Sequence, residues 1–256
     1  MIAKIDVNLT YRLFGPTDIL LQIEAAHLPD QQVVRGNLQT SYVTHFARVA
    51  GEAGIGERIW LRADGDFSCS YQAEVEIVRP VVDLSVIDMV SPHLLPGDTV
   101  HYLLPSRFCP SDQFQSFVLS EFGSLSGGTC IAAMRDWVHE KFQYVSGVSD
   151  AQTTALESFV QRRGVCRDFA HVLITLARAA TIPARFASVY APDVRPQDFH
   201  AVAEVYLDGG WYLVDPTGMA GADTIARIGV GADAAETAFL SSFGPAQLIN
   251  QVVQVS

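Results

Sequence analysis

Gly164-Val165-Cys166-Arg167-Asp168-Phe169-Ala170-His171 is the stretch from which the fold is read. Gly164 permits a tight turn. An apolar stripe at helical spacing follows it: Phe169, Val172, Leu173, Leu176, Ala177 and Ala180. Pro183 lies beyond the stop, so the pattern predicts a helix from about 166 to 180 with Cys166 at its first position. The first N–H groups of a helix lack acceptors within it, and the positive end of the macrodipole is there, so an anion is favoured. Only the thiolate of cysteine attacks, and Cys166 stands where that form is helped. Arg167 adds positive charge; Asp168 opposes it while favouring the helix start. The backbone N–H of Cys166 is also placed to stabilise an oxyanion. Burial as a small apolar residue accounts well for Cys69, Cys109 and Cys130. For Cys166, burial and chemistry weigh equally on local context alone.

Downstream, His200-Ala201-Val202-Ala203-Glu204-Val205-Tyr206-Leu207 and Trp211-Tyr212-Leu213-Val214-Asp215 flank Asp208-Gly209-Gly210. Asp-Gly is a strong hairpin signal. If Asp208-Gly209 is a two-residue turn, Leu207 pairs with Gly210 and Val202 lies opposite Asp215. His200 shares the face of Val202, so His200 and Asp215 become diagonal neighbours with Cβ atoms about 7 Å apart. A three-residue loop without a bulge would put them on opposite faces. Taken singly, His200 is accounted for as an ordinary strand histidine, and Asp215 before Pro216 as a turn residue. With Cys166 they make a nucleophile, a base and a group that orients the base.

Around this centre the pattern is α followed by β. Ile131, Met134, Trp137, Val138 and Phe142 lie on one helical face, and Thr154-Ala155-Leu156-Glu157 reads as a capping box opening a helix that Gly164 would end. Strands are expected at about 184–190, 201–207 and 211–214. A small helix is expected near 233–240 and a last strand at 251–255. Residues 1 to about 90 alternate as short strands, among them Ile5 to Tyr11 and Tyr71 to Ile77. A Pro- and Ser-rich stretch at about 91–112 reads as a connection. The expected fold class is α+β: an N-terminal antiparallel β-sandwich over residues 1–105, linker included, and a catalytic core over residues 106–256.

The bulk numbers exclude several functions. The chain has 256 residues, 49% of them hydrophobic, and a net charge of -11. No Lys/Arg cluster supplies a nucleic-acid face, and no apolar run is long enough to span a membrane. The N-terminus lacks the blocks of a signal peptide. Four cysteines in a chain of this length do not make a disulfide framework, and no pair has metal-finger spacing. The expectation is a cytoplasmic protein with reduced thiols, no nucleic-acid or membrane partner, and no metal or other cofactor.

The remaining candidates are weaker. His171 lies about 140° round the helix from Cys166, which suits packing better than base catalysis. His139 and Glu140 read as a solvated helix face, and Arg162-Arg163 as charge complementing a helix end. Gly229-Val230-Gly231-Ala232-Asp233 lacks the third glycine and the context of a phosphate loop.

At the level of motifs the chain resembles the bacterial transglutaminase-like proteins of the papain-like cysteine peptidase and transglutaminase superfamily. The matching pieces are Leu104 to Cys109, Gly164 to His171, Ile182-Pro183-Ala184-Arg185, Asp198-Phe199-His200-Ala201, Glu204 to Leu207 and Trp211 to Thr217. The resemblance implies a cysteine-bearing helix packed on an antiparallel sheet. It implies Cys166 as nucleophile, His200 as base and Asp215 as its orienter, and no calcium dependence. One departure is Val202, where the family often has Trp. The expected activity is acyl transfer on peptide or amide bonds through a thioacyl-enzyme at Cys166. Hydrolysis, as by a cysteine peptidase or amidase, is favoured over cross-linking. The alternatives are a non-catalytic binding or scaffold protein that keeps the fold, and an assembly subunit.

Overall fold

The computed structural model describes residues 1–256. Its first part is all β: β1 (Ile2–Leu13), β2 (Thr17–Leu21), β3 (Gln31–Thr40), β4 (His45–Ala50), β5 (Glu57–Ala63) and β6 (Asp66–Ile77). Strict alternation dictates the two longest, β1 and β6. β1 buries Ala3, Ile5, Val7, Leu9, Tyr11 and Leu13, and β6 opposite it buries Phe67, Cys69, Tyr71, Ala73, Val75 and Ile77. A residue set with period two has one dry face and must stack on another sheet to hide it. A connection of 3₁₀ turns between 84 and 113 leads into the second part.

That part comprises α1 (Gln115–Phe122), α2 (Gly127–Lys141), β7 (Gln143–Tyr144), α3 (Ala155–Gln161), β8 (Arg163–Gly164), α4 (Cys166–Ala179), β9 (Ala184–Tyr190), β10 (His200–Leu207), β11 (Gly210–Val214) and β12 (Ala226–Gly231). The last four form an antiparallel sheet in the order β11-β10-β9-β12. α4 packs across β10 and β9. Its stripe of Phe169, Val172, Leu173, Leu176 and Ala177 is wholly buried. β9 and β10 are buried along their full length, because the helix covers one face and the rest of the chain the other. The fold class is the expected one, α+β with antiparallel sheets and a transglutaminase-like core.

The expected extent of the core, residues 106–256, is corrected at its end. β13 (Leu240–Ser242) and β14 (Ala246–Val255) return to the sandwich. The sandwich sheets run β14-β1-β6-β3 and β13-β2-β5-β4. β14 covers the open edge of β1 from Ile5 opposite Val255 to Leu13 opposite Ala246, so the backbone groups of β1 are paired on both sides. The expected helix near 233–240 is a single turn instead. The Asp233 carboxylate accepts the Ala235 N–H at 2.9 Å, and the Asp233 carbonyl accepts that of Glu236. An aspartate serving its own next turn competes with helix propagation.

α3 begins as the capping box predicts. The Thr154 hydroxyl accepts the Glu157 N–H, and the Glu157 carboxylate accepts the Thr154 N–H at 2.7 Å. It ends at Arg162, not Gly164. Arg162 is left-handed, with φ 55°, and its guanidinium lies over Phe159 at 4.0 Å and Trp137 at 4.4 Å. Cation–π attraction to two rings, beyond the helix dipole, thus accounts for this arginine.

Candidate active site

Cys166 opens α4, and the local sequence is built to hold that opening. The Asp168 carboxylate reaches back to accept the Val165 N–H at 2.8 Å and the Ser149 hydroxyl at 2.6 Å, with no exposed surface of its own. Gly164 is required by this arrangement. A Cβ there would lie 2.6 Å from Asp168 Cβ and Oδ2. Asp168 therefore serves the helix start with its hydrogen bonds. Cys166 itself is partly exposed, whereas Cys69, Cys109 and Cys130 are buried. Burial pushes the Cys69 and Cys109 thiols up to about 12 and that of Cys130 to about 11, so these three are inert spectators.

The hairpin of β10 and β11 has the register inferred from its turn. Leu207 pairs with Gly210 and Ala203 with Val214, and Asp208 and Gly209 both have positive φ, 41° and 82°. That is the backbone of the two-residue turn that matches strand twist. His200 Nε2 donates to Asp215 Oδ2 at 3.0 Å. The side chains are 0% and 2% exposed. With Nε2 engaged, Nδ1 has no hydrogen-bond partner and is the ring atom left for the thiol. Burial depresses the His200 imidazolium. The hydrogen bond to Asp215 and the neighbouring Cys166 and Asp215 charges outweigh burial and push it up to about 10.

Asp215 is itself tightly held. Oδ1 accepts the N–H and the hydroxyl of Thr217, at 2.8 and 2.7 Å; Oδ2 accepts the N–H groups of Met219 and Ala220, at 3.1 and 2.9 Å. Burial would raise its carboxyl, but the bond to His200 with its charge, and then the two Thr217 bonds, hold it below the usual carboxylate range. His139 and Glu140 lie on an exposed face of α2, as expected; His139 Nδ1 also donates to the Thr217 carbonyl at 3.1 Å and so braces this loop. Thr217, Met219, Ala220 and His139 were not singled out from sequence for the site. Asp-Pro-Thr-Gly carries the signal for the loop, since an aspartate often takes N–H groups two residues on.

His171 stays out of the centre. It is fully buried, stacks on Phe108 at 5.2 Å, and accepts the Ala234 N–H on Nε2 at 3.2 Å. Burial, only partly countered by Asp233, pulls it down to about 3. Tyr144, absent from the sequence candidates, stands next to Cys166 through the pairing of β7 with β8. The Cys166 N–H has no acceptor within α4, being at its first position.

Residues 125–216 match the family model of the transglutaminase-like superfamily. A crystal structure from Cytophaga hutchinsonii, described as that of a candidate cysteine protease, is 33% identical. It superposes with a TM-score of 0.94 over 100% of this chain and 90% of that one. An uncharacterized protein of Mycobacterium leprae (strain TN) is 34% identical over 95 residues, 34% of this chain. The chain spans only 33% of that curated relative.

Proposed function

Because the chain belongs to the transglutaminase-like superfamily, we propose that it is a thiol-dependent hydrolase of peptide or amide bonds. The observation that carries this is a partly exposed Cys166 at a helix start beside a buried, hydrogen-bonded His200–Asp215 pair. In this scheme Cys166 gives its thiol proton to His200 Nδ1, and Sγ adds to the amide carbonyl. The C–S bond forms, the π pair moves to oxygen, and the Cys166 N–H receives that oxyanion. Asp215 holds Nε2–H, so His200 Nδ1 faces the reaction. Its proton passes to the departing amine as the C–N bond breaks, leaving a thioacyl-enzyme. Water, giving up a proton to Nδ1, then adds to the thioester, and collapse releases the acid and the thiol.

A peptide or protein is the substrate class in this proposal. An open groove of about 1270 Å³ runs over the outer face of the sandwich, with Lys4, Asp6, Arg35 and Glu74 along it. Arg195, Gln197 and Asp198, which precede His200 in the chain, also line it, whereas His200 and Cys166 do not. Its charges of both signs suit an extended polar chain better than a small apolar ligand. The test is incubation with fluorescein-labelled casein, with and without monodansylcadaverine. The expected result is new, shorter labelled fragments that Cys166→Ala abolishes. Amine incorporation without fragmentation would make the protein a transferase. The absence of both, together with no labelling of Cys166 by iodoacetamide, would leave a scaffold.

A further inference from the structure

His200 is the first residue of β10, and its backbone has a neighbouring strand on one side only. β9 runs beside it, with Val189 opposite, but the pairing with β11 begins only at Ala203 opposite Val214. A strand end with a single neighbour frays unless something else holds it. The residues just before His200 supply that hold through their side chains, and their partners come from the C-terminal strand β14. The Gln197 amide takes both backbone groups of Val255. Its Oε1 accepts the Val255 N–H at 2.5 Å, and its Nε2 donates to the Val255 carbonyl at 3.0 Å. Nε2 also donates to the Pro192 carbonyl at 2.8 Å. Val255 is free for this because its neighbour Ser256 exchanges backbone hydrogen bonds with Lys4 of β1, and alternate residues of an antiparallel strand turn their N–H and C=O to opposite sides. Gln197 thus stands where the next strand of the sheet would. Asp198 adds a second tie, its carboxylate accepting from Gln251 Nε2 at 2.6 Å. The Phe199 ring stacks on Phe239 at 4.5 Å.

We propose that Gln197 is a positioning residue for the reaction: by closing its two bonds on Val255 it fixes the start of β10, and with it the place of His200 Nδ1 relative to Cys166 Sγ. This rests on Cys166 and His200 acting as the pair proposed above. Gln197 makes no hydrogen bond to either of them and acts through Asp198 and Phe199, which lead into His200. A misplacement of about 1 Å at reacting groups is enough to lose much of the rate. β14 is accordingly more than a cover for the edge of β1; it is the hold of the sandwich on the base. Gln197 and Asp198 also line the open groove, so a chain bound there touches the residues that hold His200.

The rate of Cys166 alkylation by iodoacetamide at about pH 6 and at about pH 10 tests this. The other three cysteines are buried and do not compete. An isolated thiol has a pKa of about 8.5, so rapid labelling at the lower pH requires the pair with His200, whereas at the higher pH the thiolate forms without help. Gln197→Met keeps the length of the side chain and gives up its hydrogen bonds. It should lower the acid-side rate by ~10-fold, towards that of His200→Ala, and leave the alkaline rate within about twofold of wild type, with a cooperative thermal transition retained. If that transition is lost, Gln197→Glu, which keeps an acceptor for the Val255 N–H but no donor for the carbonyls, enters the same comparison with the same expectation. An unchanged acid-side rate overturns the proposal. So does an equal fall at both pH values, which would mean altered access to the thiol. Wild-type labelling of His200→Ala on the acid side would instead remove the Cys–His pair, and the proposal with it.

Discussion

His200 and His171 are both buried, yet their surroundings push them in opposite directions. His200 has Asp215 at 3.0 Å and is raised to about 10; His171 has mainly apolar neighbours and is lowered to about 3. An unfolded histidine titrates near about 6.5. The stability His200 contributes is therefore fully present below that pH and is lost as pH rises through about 10. That of His171 is present above about 6.5 and is lost as pH falls towards about 3. The thermal midpoint should decline on the alkaline side less steeply in His200→Ala than in the wild type. His171→Gln keeps an acceptor for the Ala234 N–H and should flatten the acid side only. Equal slopes in wild type and variants would refute both assignments. For the chemistry, Asp215→Asn should bring the alkaline limb of the Cys166 acylation profile down from near pH 10, because the imidazolium loses its principal partner.

Among the elements, the hairpin of β10 and β11 decides whether the site exists. Its turn fixes the register that puts Asp215 beside His200. Inserting one glycine between Asp208 and Gly209 shifts β11 by one residue and turns Asp215 to the other face. Iodoacetamide should then label Cys166 no faster than in His200→Ala, while α4, anchored by Asp168 and its buried stripe, persists by circular dichroism. Wild-type labelling of the insertion variant would mean that the loop after Asp215, not the turn, holds the carboxylate. α4 matters differently: Gly164 yields the space in which Asp168 ties the helix start to Val165.

At the scale of the whole molecule, sandwich and core behave as one unit. The sandwich cluster takes in Tyr190 of β9 and Ala226 and Ile228 of β12, and the Tyr190 hydroxyl donates to the Ile23 carbonyl at 2.6 Å. Charges cross the same boundary. Glu204 accepts from Arg185 and from Arg227, each at 2.7 Å; Arg227 also pairs with Asp30, which accepts from Arg79 at 2.5 Å. Removing one member of such a buried set strands the others, at a cost of about 3–5 kcal/mol. Glu204→Gln should lower stability by that order in urea unfolding. Trp60, in the sandwich, and Trp137, in the core, should report one coincident transition in single-tryptophan variants of the wild-type background. Two separated transitions would mean that the halves unfold independently.

Much of this was legible in the chain itself. The strands of the sandwich, the stripe of α4, the capping box of α3 and the hairpin that joins His200 to Asp215 follow from periodicity and turn chemistry. Those signals depend on residues a few positions apart, so the sequence by itself determined them. The tertiary structure alone decided that residues 240–255 leave the core for the sandwich, that Arg162 lies over both Phe159 and Trp137, and that Tyr144 pairs with Gly164. It also decided that Glu204 is held by Arg185 on the neighbouring strand and Arg227 from farther along the chain. Each of these is a contact between segments well apart in the chain, made by residue types that occur everywhere. An edge strand, an arginine or a tyrosine carries no local mark of its partner. Only the packing of the whole chain, which must pair every buried charge and cover every strand edge it encloses, selects one.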